Sequence, residues 1–204
     1  MAMHSYVTIP QVRDYSGFTE TIETPDDVIQ LNIDTATTLI DEYCGRSFDA
    51  KMELSRTFPA EFDIISSIRP SMEIGDVLPS GDLDITVEVS NRPYEATSWE
   101  ERASGWWLGP LNKPEEWPYT TLEVDRDRSW RGRFVRITTD WGWREVPSPI
   151  QRASLMLATR WLHRKDTPLG QEGSGEFGVV YVRKVDPDVQ NMVRPFKRVT
   201  LLGS

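Results

Sequence analysis

Two periodicities divide the chain. From residue 25 to residue 44 the apolar positions Val28, Ile29, Ala36, Leu39, Ile40 and Tyr43 fall on one arc at the helical period. Thr24-Pro25-Asp26-Asp27 precedes them, offering a cap, a proline for the first turn and two acids at the positive end of the helix dipole. Gly45 supplies a left-handed stop. These signals predict a helix over 25–44. Thr8-Ile9-Pro10 predicts a short helix ending at Gly17. Pro147-Ser148-Pro149 starts another, with Ile150, Ala153, Leu157, Ala158, Trp161 and Leu162 in one broad apolar stripe. Arg152, Thr159 and His163, joined by Met156, are expected on the opposite side. Asp186-Pro187 opens a last short helix through Met192, stopped by Pro195.

Between these helices the pattern shortens to β-prone pieces at 55–58, 64–69, 84–89, 120–124 and 133–139, separated by turn residues such as Pro79-Ser80-Gly81 and Asn91-Arg92-Pro93. Ile85, Val87 and Val89 alternate with Thr86 and Glu88, as a half-buried strand requires. Asp125-Arg126-Asp127-Arg128, before Trp130-Arg131-Gly132, reads as the exposed tip of a hairpin. The fold class expected is α+β. A small helical bundle is built from the N- and C-terminal segments (1–50 and 146–204), with an inserted antiparallel β-sheet or barrel domain (51–145). No internal repeat is present.

Composition narrows the picture modestly. The 204 residues suffice for one domain or two small ones, and 38% hydrophobic content fits a folded chain. No apolar run approaches the roughly 20 residues that span a bilayer, and the first residues lack the pattern of a secretory signal. A single cysteine, Cys44, leaves no internal disulfide and fits a reducing compartment. The net charge of −9 argues against tight, nonspecific phosphate binding. Its distribution is uneven: residues 1–149 carry 14 basic and 27 acidic side chains, residues 150–204 carry 9 and 5. An acidic body with a basic C-terminal quarter suggests complementary surfaces between copies or toward a partner.

Several motifs suggest chemistry and do not carry it. Gly173-Ser-Gly175-Glu-Phe-Gly178-Val matches the glycine-rich loop of protein kinases and the dinucleotide fingerprint. Only 26 residues follow Gly178, too few for the rest of a kinase, and helix precedes the glycines where a dinucleotide site needs a strand. The acidic pairs Glu100/Glu101, Glu115/Glu116 and Asp125/Asp127 lie in polar stretches without a basic partner motif, so solvated charge is the better reading. Serines lack a nucleophile elbow, Cys44 has no base nearby in sequence, and His4 and His163 are too far apart for a zinc motif. No catalytic residue, metal ligand or cofactor is expected. Trp99, Trp106, Trp107 and Trp117 cluster in the insert, where protein packing is favoured over sugar stacking.

Three stretches taken together resemble one family. They are Leu39-Ile-Asp-Glu-Tyr43-Cys-Gly45-Arg46-Ser-Phe48; the run from Val135 through Trp141-Gly142-Trp143 to Pro147-Ser-Pro-Ile150; and Arg160-Trp-Leu-His-Arg164 followed by Pro168-Leu-Gly170, Gly-Glu-Phe-Gly and Asp186-Pro187-Asp188-Val189. In order and spacing they resemble the head–tail connector (adaptor) proteins of long-tailed bacteriophages, the siphophage type of actinobacterial hosts in particular.

The resemblance implies a structural virion protein rather than an enzyme. It implies a ring of twelve copies at the neck, between the portal protein and the stopper or head-completion protein, assembled in the host cytoplasm. Double-stranded DNA would pass through the lumen without specific binding, and no membrane is involved. Contacts with portal or neighbours map to the loop 170–184 and the tail 196–204, with Glu176, Phe177, Val180, Tyr181, Arg183, Phe196, Lys197 and Arg198 as candidates. Met192, and Arg152 and Met156 on the outward face of the 148–165 helix, join them. The loop is expected to order on docking. The insert, of roughly 95 residues, exceeds what a minimal adaptor bundle requires. Two other readings stand beside this one: a stopper, head-completion or tail-terminator protein, and a tryptophan-rich glycan-binding virion module.

Overall fold

The computed structural model describes residues 4–17, 24–60, 70–78, 85–126, 130, 133–166 and 187–198. The chain forms two compact units, one from Met1–Phe48 with Val146–Ser204 and the other from Asp49–Glu145. Among the described residues it is a mixed α+β fold of four helices and an antiparallel curled sheet, a half-barrel.

In the helical unit, α1 (Ile9–Ser16), α2 (Asp26–Cys44), α3 (Ser148–Asp166) and α4 (Pro187–Val193) follow the patterned segments closely. α1 starts where Thr8 and Pro10 predict, and the Thr8 N–H donates to the Gln11 side chain at 2.8 Å. At α2 the start shifts by one residue: Pro25 is the cap and Asp26 the first helical residue. Asp26 receives Arg13 at 2.7 Å, which ties α1 to the start of α2. Gly45 closes α2 at φ 64°, its N–H donating to the Asp41 carbonyl at 2.8 Å.

α2 packs along α3, while α1 and α4 also pack on α3. The core between them holds Ile29, Ile33, Ile40, Ile150, Leu157 and Leu162. α3 is therefore covered on more sides than a single stripe provides. Thr159, expected on the polar side, is only 7% exposed for this reason, while Arg152 and His163 do lie in solvent. After α4 a 3₁₀ turn at Arg194–Phe196 takes in Pro195, which ends the α-helix as expected.

The β unit is one antiparallel sheet of seven strands: β1 (Lys51–Pro59), β2 (Ser71–Val77), β3 (Thr86–Ser90), β4 (Glu100–Glu101), β5 (Trp106–Gly109), β6 (Tyr119–Val124) and β7 (Phe134–Trp141). β7 is the hub. It pairs with β1 along its length, with β3 from Thr138 to Phe134, and with β2 at Val77–Trp141. Its residues alternate half-buried and buried without a break, and Val135, Ile137 and Trp141 enter the core beside Ile74, Val87, Val89, Leu122 and Val124.

The hairpin expected between 120–124 and 133–139 is not formed. β6 pairs with β2 and β5, and β2 stands between it and β7. Asp125 and Arg126 of the expected tip are exposed, and Trp130 after them is 2% exposed and donates its indole N–H to Asp125 at 3.1 Å. An indole of that size is worth more buried than at a loop tip. Gly142 has φ +102°, and a Cβ there would stand 1.8 Å from the Asp49 carbonyl oxygen, so only glycine fits where the chain leaves β7. The expected strand at 64–69 and the loop at 170–184 lie outside the described residues.

Candidate functional site

The candidate residues in the C-terminal quarter separate into three groups. Arg152 is exposed on α3, and Met156, one turn on, is half-buried. Met192 is half-buried on α4. Phe196, Lys197 and Arg198 gather at the C-terminal end of α2. Phe196 is 8% exposed and packs edge-on against Phe48, with ring centres 5.8 Å apart. The Lys197 ammonium lies 5.3 Å from the centre of the Tyr43 ring. The Arg198 N–H donates to the Cys44 carbonyl at 2.8 Å. These three anchor the tail to α2, with Lys197 alone of them fully in solvent. Glu176, Phe177, Val180, Tyr181 and Arg183 lie outside the described residues.

The same end of α2 carries a polar knot that the sequence pattern did not single out. The Tyr6 hydroxyl donates to Asp41 and accepts from the Phe48 N–H at 2.9 Å. Burial first, and then the Asp41 carboxylate, push the Tyr6 hydroxyl far above its ordinary pKa. His4 Nε2 stands 3.2 Å from Asp41 Oδ2 and 3.4 Å from Ser47 Oγ. Serine, histidine and aspartate thus meet, but both oxygens face the same ring nitrogen. A relay requires the base to use one nitrogen toward the nucleophile and the other toward the carboxylate. The knot is a clamp for residues 4–8. Cys44 beside it is fully buried, its thiol pushed up to about 11 chiefly by desolvation, and Sγ faces the Val193 carbonyl at 3.8 Å. That is an inert core thiol.

Along α2 and α3 the exposed positions differ in charge. α2 contains Asp26, Asp27, Asp34, Asp41 and Glu42 and neither lysine nor arginine. Leu31, in the middle of its outer face, is 66% exposed. α3 shows Arg152, Arg160 and His163 to solvent.

Chains of this architecture are known. No protein-family model matches this one, and no curated protein does. Among solved structures it is similar to a chain from the neck of an empty GTA particle computed with C6 symmetry, with a TM-score of 0.51 and 14% sequence identity. The likeness covers 100% of this chain and 99% of that one. At that identity it is a likeness of fold. It takes in the β unit as well as both helical segments, so the large insert belongs to the shared fold.

Within the β unit the ionisable and aromatic groups are matched to each other. Arg136 makes two hydrogen bonds of 2.6 Å to Glu88 and lies 4.3 Å from the centre of the Trp99 ring. Arg133 meets Glu100 at 2.9 Å and holds that carboxyl below its usual range. Arg56 sits 4.2 Å over Trp141. Of the eight tryptophans, Trp130, Trp141 and Trp143 are buried, and Trp117 packs edge-on against Trp143 at 5.4 Å. Only Trp107, at 45%, is exposed. Sugar-binding platforms set several rings side by side in solvent, and the tryptophans here are used for packing. Among the described residues no group of three or more histidine, cysteine, aspartate or glutamate side chains could hold a metal ion, and no helix is long and apolar enough to cross a membrane.

Proposed function

We propose that this chain is a structural neck protein of a phage-like particle, a head–tail adaptor. The observation that carries the reading is the end-to-end likeness to a chain from the neck of a gene transfer agent particle. The ordered motifs from Leu39 to Val189 support the same assignment. In this reading the protein forms a ring between the portal and the stopper or tail-side proteins and prolongs the DNA channel. It resides in the neck of the virion after assembly in the host cytoplasm. The C6 symmetry of the similar neck suits a copy number divisible by six, twelve included. A net charge of −9 per copy suits a conduit through which DNA slides without being held. The siphophage type of actinobacterial hosts remains the family member that the motifs resemble most.

Native mass spectrometry and negative-stain imaging of the purified chain, with and without its portal protein, test this. Rings with a copy number divisible by six are expected, alone or on the portal. A chain that stays monomeric under both conditions, or that turns over a small-molecule substrate, overturns it. A tail-terminator assignment would instead give rings on isolated tail tubes. A glycan-binding module would show quenching of tryptophan fluorescence by host-wall sugars.

A further inference from the structure

We propose that the outer face of α2 on one copy docks against the outer face of α3 on a second copy of the same chain, in parallel and in a fixed register. The inference rests on the ring reading and names the surface that would close it. On α2 the exposed stripe is Asp27, Leu31, Thr35 and Thr38, with Asp34 beside it. On α3 it is Arg152, Met156, Arg160 and His163, with Met156 half-buried. Both run over offsets of four, eight and eleven residues, about 16 Å of helix. Side by side in parallel, Asp27 meets Arg152, Leu31 meets Met156, and Arg160 falls by Asp34 and Thr35.

Charge matches where Asp27 meets Arg152 and apolar character where Leu31 meets Met156, and Asp34 beside Thr35 supplies the acid for Arg160. Leu31 is 66% exposed, and flexible Met156 is suited to cover it. The acids lie on one helix and the bases on the other, so each copy offers two different, complementary patches. Such a heterologous contact repeats around an axis and closes when the rotation divides a circle. The two-fold alternatives, α2 on α2 or α3 on α3, set like charge against like and are disfavoured.

The test is disulfide trapping in the full chain carrying Leu31→Cys and Met156→Cys together, oxidised mildly and run on a denaturing gel. Cys44 is 0% exposed, so the unmodified chain provides the background. A ladder of covalent dimers, trimers and higher species is expected from the double variant and background only from each single one. Dimers from a single variant would show a two-fold contact and overturn the inference. So would absence of a ladder from chains that native mass spectrometry finds assembled, and in that case the ring reading stands. Monomers alone, with and without portal, overturn both. As a check independent of cysteine, Arg152→Glu should lower the assembled fraction about tenfold, and Asp27→Arg in the same chain should restore it. Assembly unaffected by Arg152→Glu would also overturn the contact.

Discussion

In the β unit, cationic side chains find their partners inside the sheet: Arg136 with Glu88 and Trp99, Arg133 with Glu100, Arg56 with Trp141. In the helical unit Arg13 meets Asp26 and His4 stands beside Asp41, while Asp27, Asp34 and Glu42 lie along α2 and the exposed bases along α3. A sheet whose charges are matched internally can serve as a body. A bundle that places acids on one helix and exposed bases on another suits the contact between copies proposed above. Electrostatic pairing within a sheet adds local stability, whereas segregated surface charge acts on association and its salt dependence.

Replacing the hub of the sheet sharpens this contrast most. Trp141→Ala removes a fully buried indole that donates to the Leu54 carbonyl at 2.6 Å and supports Arg56. Urea unfolding followed by tryptophan fluorescence should show a loss of about 3–5 kcal/mol. A loss below 1 kcal/mol would break the view of β7 as the hub.

In the helical unit, Cys44 makes stability fall on the alkaline side. Burial pushes its folded pKa up to about 11, so the unfolded chain, whose thiol keeps its ordinary pKa of 9.0, gives up the proton first. Stability is intact below pH 9 and declines between pH 9 and 11, by about 2–3 kcal/mol if the whole shift is expressed. Cys44→Ala should flatten that slope in urea titrations between pH 9 and 10, below the range where the raised Tyr6 hydroxyl adds its own decline. Thiol labelling of the folded chain at pH 8 should be slow, because Cys44 is buried and protonated.

Tyr6→Phe removes the hydrogen bonds that the buried hydroxyl makes with the Phe48 N–H and Asp41. A loss of about 1–3 kcal/mol is expected in the same urea assay. Glu88→Gln breaks the paired hydrogen bonds to Arg136 in the sheet and should lower stability by about 1 kcal/mol. Neither Trp141→Ala at permissive temperature nor Glu88→Gln should alter assembly, whereas charge reversal on α3 should alter assembly and leave the urea midpoint in place.

The helices were legible because each carries its own start signal and stop: Thr8 and Gly17, Pro25 and Gly45, Ser148, Pro187. β3 was legible from its alternation and β1, β6 and β7 from their β-prone residues, although β1 starts at Lys51 rather than at 55 and β3 at Thr86 rather than at 84. β2 was not. Gly75 and Asp76 interrupt its pattern, and the register slips between Glu73 and Val77, so a buried strand reads as a turn. β5 has only four residues, two of them tryptophan, before Gly109-Pro110. Strand order was hidden too, since local pattern favours pairing of neighbours and β2 returns from far along the chain to separate β6 from β7.

Among the candidate site residues, Arg152 was legible as exposed from the helical period, and Phe196 was not legible as core. The packing of Phe196 on Phe48 links residues 148 positions apart, which no local pattern reports. The acids of α2 were readable one by one. The likeness in spacing between the exposed α2 stripe of Asp27, Leu31, Thr35 and Thr38 and the α3 stripe emerged only once the buried faces were known.

Cryo-electron microscopy of intact particles that carry this chain tests the assignment most directly. Copies in a number divisible by six, encircling the channel at the neck with the helical units in lateral contact, are the expected result. Single copies located away from the neck would contradict it.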